Sequence, residues 1–190
     1  MYKLLTMALA IAGLTACAAP VSNDRNEKVV FVTSTSFNSN LGGLTGADDK
    51  CQAEADSPAS IVPSGTYKAW LSDGTDSPNT RFTRSSHPYV LPDGTKVADD
   101  YSDLTDGSIQ HSLNIDATGA PVGFKQYWTG TFADGRTVRD NETCSAWGID
   151  PPGYVYGMIG QSTKKSTSWS SHVSPLCRSY TTHKLACFQQ

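Results

Sequence analysis

The chain has 190 residues, five of them cysteine, and carries 15 basic against 18 acidic side chains. That length suits one domain with enough material for a real core. The mixed, soluble composition and slightly acidic balance exclude a nucleic-acid binder as the first choice, since phosphate neutralisation needs a strongly basic surface.

At the N-terminus Lys3 supplies a positive charge and Leu4 to Leu14 form an apolar run of eleven residues. That run is too short to span a bilayer. A basic start, a short apolar core and small residues before a cleavage point describe a secretory signal over residues 1–16. The following Leu14-Thr15-Ala16-Cys17 resembles the lipobox of bacterial lipoproteins, which implies that Cys17 is lipidated and becomes the new first residue. Two or three acyl chains would anchor the protein stably, because each buried CH₂ contributes roughly 0.8 kcal/mol. Ala18 rather than Asp after that cysteine implies the outer membrane of the cell envelope, on its surface or its periplasmic face. Loss of residues 1–16 removes Lys3 and leaves 14 basic and 18 acidic side chains, a net charge of −4. Residues 17–28 then read as the lipidated cysteine and a polar tether, and residues 29–190 as the folded domain.

Val29 to Val32 is a compact β-branched run, as expected of a buried strand. Thr45-Gly46-Ala47-Asp48 has the form of a capping box, which predicts a helix beginning there. Along it Ala47, Cys51 and Ala55 share one face, Asp49, Lys50 and Glu54 can face water, and Pro58 and Pro63 bracket the exit. Gly65 to Ser72 suits a half-buried strand. Asp-Gly pairs at 73–74, 93–94, 106–107 and 134–135 then punctuate short segments with turn chemistry. The class implied is α+β, with few short helices, many short strands and long loops. Besides Cys17, the cysteines are Cys51, Cys144, Cys177 and Cys187, an even set in an exported chain, which predicts two disulfides. Zinc is the alternative, but no C-x-x-C pair and no His spacing supports it.

The succession VFVTSTSFNSNLGGLTGADDKCQ, GTYKAWLS, YWTGTFADGR, CSAW and a terminal LAC resembles the bacterial endostatin-like lipoproteins, best known from leptospires, and through them the endostatin domain of collagen. The likeness covers about residues 29–188. It implies a C-type-lectin-like, endostatin-like fold with Cys51 paired to Cys187 and Cys144 to Cys177. It further implies a non-catalytic recognition or adhesion module, the alternative being a structural envelope lipoprotein that faces the periplasm. The partners would be an extracellular matrix protein, a complement regulator such as factor H, or a sulfated glycan.

No Gly-x-Ser-x-Gly elbow or histidine motif supports a hydrolase. Asp99, Asp100, Asp103 and Asp106 lack an EF-hand pattern and read as caps of a short helix or loop. Asp140-Asn141-Glu142 offers oxygens for calcium, without the sugar-binding motifs of calcium-dependent lectins. No catalytic residue, metal or cofactor is therefore assigned. After Asp150 the chain has no acidic residue but holds Lys164, Lys165, Arg178 and Lys184, giving +4 against −8 for residues 17–150. Lys164 and Lys165, in the aperiodic run QSTKKSTSW, predict an exposed loop. With Arg178, and with Trp169 as an exposed aromatic, they form the expected binding surface for a polyanion. Trp70, Trp128 and Trp147 are expected in the core.

Overall fold

The computed structural model describes residues 26–139, 142–148 and 153–190. Cys17, the signal and most of the tether, and Asp140 and Asn141, lie outside them.

Among the described residues, three α-helices and seven strands follow one another as β1 (Lys28–Val32), α1 (Gly43–Ala55), β2 (Tyr67–Ala69), α2 (Pro78–Arg81), β3 (Tyr89–Val90), β4 (Lys96–Ala98), α3 (Tyr101–Leu104), β5 (Gln126–Trp128), β6 (Ile159–Gln161) and β7 (Lys184–Gln189). They form one mixed sheet in the order β4-β3-β1-β7-β5-β6. The first and last strands meet at its centre, antiparallel, with Phe31 opposite Cys187. The other edge of β7 is divided between β2, with Ala69 opposite Cys187, and β5, running parallel with Trp128 beside Leu185. The class is thus α+β, with short elements and long connections.

Side chains along a strand alternate between faces, and here both faces are covered. Val30, Val32, Ala186, Phe188, Trp70 and Tyr127 enter one cluster, whereas Phe31, Leu185, Cys187, Ala69 and Trp128 enter the other. This is why β1 reads as an unbroken apolar run rather than as alternating polar and apolar residues. On the second face α1 lays down Ala47, Cys51 and Ala55, as their four-residue spacing predicts.

The start of α1 differs from the sequence expectation. The helix begins at Gly43, and its N-cap is Gly42 in the left-handed region at φ 84°, with no side-chain cap from Thr45. Glycine fits there because a Cβ would be strained. The amides of Leu41, Gly42 and Gly43 all converge on the carbonyl of Trp147, at 2.8, 3.1 and 3.0 Å. A distant loop therefore does the work of a local cap.

Asp48 is freed for a tertiary role. It accepts from the Ala69 amide at 2.9 Å and pairs with Arg81, whose guanidinium also donates to the carbonyls of Ala69 and Leu71. Gln52 accepts from the Tyr67 amide at 2.9 Å. The free edge of β2 is thereby satisfied by side chains instead of a further strand. Lys50 and Glu54 are likewise half-buried: Lys50 donates to the Leu41 carbonyl, and Glu54 takes the amides of Ser34 and Thr35. Only Asp49 of the three faces water.

Two disulfides are present, Cys51–Cys187 and Cys144–Cys177, with Cα atoms 5.5 and 5.6 Å apart. The glycines of all four Asp-Gly pairs have positive φ, as turns require. The acidic quartet acts as expected too. Asp100 caps α3 through the Asp103 amide, Asp103 accepts from the Asp99 amide, Asp99 pairs with Lys96, and Asp106 accepts from the Ser108 amide.

Candidate recognition surface

The short disulfide closes the least regular part of the molecule. Residues 155–161 run antiparallel to residues 172–177 through bonds such as Cys177 N to Val155 O at 2.8 Å, Gly157 N to Pro175 O at 3.0 Å and Ile159 N to Val173 O at 2.9 Å. A Cβ on Gly157 would collide with the sulfur of Cys144, so only glycine lets this ladder lie on the bridge. Beside it, Cys144, Ser145, Ala146 and Trp147 are all left-handed, at φ 47°, 55°, 60° and 60°. Each such residue costs roughly 1–2 kcal/mol. The turn persists because its surroundings over-determine it. Cys144 is bridged, the Trp147 indole donates to the Ser72 carbonyl at 2.7 Å, and the Trp147 carbonyl holds the start of α1.

Around this pinned scaffold the surface is aromatic. Tyr154 is 79% exposed and Tyr180 81%, and the Arg178 guanidinium lies 5.6 Å over the Tyr154 ring. Tyr156, 38% exposed, and Tyr154 flank Val155, whose carbonyl takes the Cys177 amide. None of these tyrosines was singled out from the sequence. The available signal was Pro-Pro-Gly-Tyr-Val-Tyr between two cysteines, aromatics in a turn-rich segment with no core periodicity.

Of the residues expected to bind a polyanion, Lys164 and Lys165 are exposed in the turn after β6. Arg178 stands at the other end of the 155–161 ladder, roughly 20 Å of strand away. The structure does not bring the three together. Trp169 corrects the expectation directly: it is fully buried, with its ring 4.9 Å from Trp70, at the end of a 3₁₀ turn over Thr167–Trp169. The hydroxyl of Tyr127 donates to its carbonyl, and Ser170, next in the chain, accepts from the Trp70 indole at 2.7 Å. The polar run around it is a short lid that delivers one aromatic anchor to the core. Trp70, Trp128 and Trp147 are buried as expected.

Lys184 is a second correction, since it adds nothing to a basic surface. It is buried, and its ammonium donates to the carbonyls of Thr33, at 2.7 Å, and Ser34. Burial lowers its pKa, with Glu54 opposing the shift.

A model of the family described as a protein of unknown function, DUF1554, matches residues 34–165. The chain belongs to the DUF1554 family. The match takes in Cys51 and Cys144 but ends before their partners, so in this DUF1554 chain both bridges tie the family region to the C-terminal segment. No curated protein matches the chain.

Among the described residues no three His, Cys, Asp or Glu side chains group as a metal site, and no helix is long and apolar enough to cross a membrane. His183 is half-buried just before β7. Its ring stands edge-on to Trp128 at 4.4 Å, its Nε2 is buried without a partner, and burial pushes its pKa down to about 4. A neutral ring locked against a core tryptophan is a packing element. Both of its backbone groups bond Phe37, which ties the loop after β1 to the start of β7.

Proposed function

We propose that this chain is an exported lipoprotein, anchored through Cys17 to the outer membrane, whose domain recognises a macromolecule and catalyses nothing. The observation that carries the reading is the pairing of exposed Tyr154 and Tyr180, and the half-buried Arg178 stacked on Tyr154, with a scaffold fixed by the Cys144–Cys177 bridge. Tyrosine and arginine are among the residues on which protein interfaces concentrate their energy, and tyrosine offers a large contact at modest entropic cost. Their backbone is ordered beforehand, which lowers the cost of binding.

The endostatin-like, C-type-lectin-like fold belongs to the same proposal. It is supported by the two bridges in the pairing the resemblance implies, and by the antiparallel contact of the terminal strands. A protein ligand, of the kind found in extracellular matrix or among complement regulators, fits this surface better than a sulfated glycan. The exposed basic groups of the C-terminal segment reduce to the Lys164–Lys165 pair, since Arg178 is half-buried and stacked on Tyr154.

Binding of matrix glycoproteins and factor H to the immobilised protein tests the reading. Tyr154→Ala/Tyr180→Ala is expected to weaken binding at least about tenfold, with an unchanged unfolding midpoint because both side chains are exposed. Equal binding by the double variant, or none by the wild type, would remove the recognition surface. Lipidation is checked separately by acyl labelling, which Cys17→Ser should abolish, and outward orientation by protease digestion of intact cells.

A further inference from the structure

A second surface shares no lining residue with the tyrosine patch. Two clefts, of about 490 and 430 Å³, meet at Asp134, which lines both. The first is walled by Asn79, Arg84, Asp100 and Ser102, the second by Phe132, Arg136 and Thr167. We propose that the joined clefts bind an uncharged oligosaccharide, with adjacent sugar units in the two lobes.

A sugar presents hydroxyl groups around a ring whose faces are lined by C–H. Each hydroxyl both donates and accepts, so a complementary site needs carboxylates and guanidinium groups side by side. Arg84 stacks 5.5 Å over the Tyr101 ring and gives one nitrogen to the Asn79 carbonyl at 3.0 Å, which leaves its Nε and second terminal nitrogen without an internal bond among the described residues. Asp100 gives one oxygen to the Asp103 amide, and its other oxygen has no hydrogen bond among the described residues. In the shared wall, Asp134 is clasped by Arg136 through backbone and side chain, at 3.0 and 2.8 Å. Asn79 is fixed as well, taking the Tyr101 hydroxyl at 2.9 Å and donating to the Asp134 carbonyl at 2.9 Å. The polar groups are thus set in place before a ligand arrives, and little ordering entropy remains to be lost.

Phe132 adds what a purely ionic cleft lacks. Its ring is 38% exposed in the second lobe and offers an electron-rich face to the C–H side of a sugar. Charge decides between sugar types. Arg84 and Arg136 face Asp100, Asp106 and Asp134 across the two lobes, a net of −1, so a sulfated or uronate-rich chain is repelled while a neutral one pairs with both signs.

The full chain, purified in detergent, can be titrated with mannotriose, cellotriose and chitotriose and, in parallel, with heparin, using saturation-transfer NMR and calorimetry. At least one neutral trisaccharide is expected to bind. Arg84→Ala and Phe132→Ala should each weaken it at least about tenfold without moving the unfolding midpoint, both side chains being exposed. Tyr154→Ala/Tyr180→Ala should leave it unchanged. The proposal is overturned if no neutral trisaccharide binds at about 10 mM, or if both single variants bind like wild type. Binding of heparin alone, lost in Lys164→Glu/Lys165→Glu, overturns it as well and assigns the glycan to the basic turn.

Discussion

The two disulfides hold two unlike regions. Cys51–Cys187 joins α1 to β7, which already share one core cluster through Ala47, Ala55 and Leu185, and β7 is already paired with β1 and β2. Cys144–Cys177 closes a region of isolated bridges, left-handed backbone and exposed tyrosines. The first bridge locks a core that regular structure defines, whereas the second substitutes for regular structure where almost none exists. The contrast supports the proposal that recognition falls on the second region: its surface is irregular yet cannot collapse, because bridge, indole and carbonyl contacts fix the backbone and leave the outward side chains free.

The largest effect expected from breaking this arrangement is at the long bridge. Its sequence separation of 136 corresponds to about 4–5 kcal/mol of chain entropy, comparable with the whole stability of an ordinary domain. Cys51→Ala/Cys187→Ala should shift the denaturant midpoint accordingly and yield little exported protein. Trp169→Ala should cost about 4 kcal/mol through a core cavity, which equilibrium unfolding would reveal; a cost under about 1 kcal/mol would return Trp169 to the surface.

Cys144→Ala/Cys177→Ala comes next, at about 3–4 kcal/mol for a separation of 33. Here the loss should be local. Hydrogen exchange should quicken in residues 153–178 while the amides of β1 and β7 stay protected, and uniform loss of protection would contradict the division into two regions.

The smallest effect concerns pH. His183 titrates at about 4 when folded against an ordinary 6.5. Between those values the unfolded chain binds more protons, so stability rises with pH. The contribution is complete above about pH 6.5 and lost as pH falls through about 4. Allowing for solvent screening at this half-buried ring, it amounts to about 2 kcal/mol. His183→Phe keeps the packing on Trp128 and should flatten the pH dependence of unfolding in that window; an unchanged slope would assign the dependence to other groups.

Much of the core was legible because its signals are local. The β-branched run of β1, the four-residue spacing of Ala47, Cys51 and Ala55, and the Asp-Gly turns each follow from bond geometry within a few residues. The reading of α1's start failed for a reason of the opposite kind. Thr45 and Asp48 satisfy a local capping rule, but three amides at the helix start find a better partner in Trp147, a hundred residues along the chain, and Asp48 finds β2. Trp169 and Lys184 misled in the same way, since a tryptophan among serines and a lysine in a basic segment read as surface until their neighbours are known.

The sequence alone carried the α+β class, the buried first strand, three of the four core tryptophans and the even set of four cysteines. Through resemblance it also determined which of those pair. Which aromatics and cations reach solvent is set by packing across the whole fold. Whether Tyr154 is free or Trp169 is buried depends on what packs against it from distant parts of the chain. No periodicity within a loop encodes such contacts, because a loop's side chains follow the shape of the scaffold and not a repeat of their own.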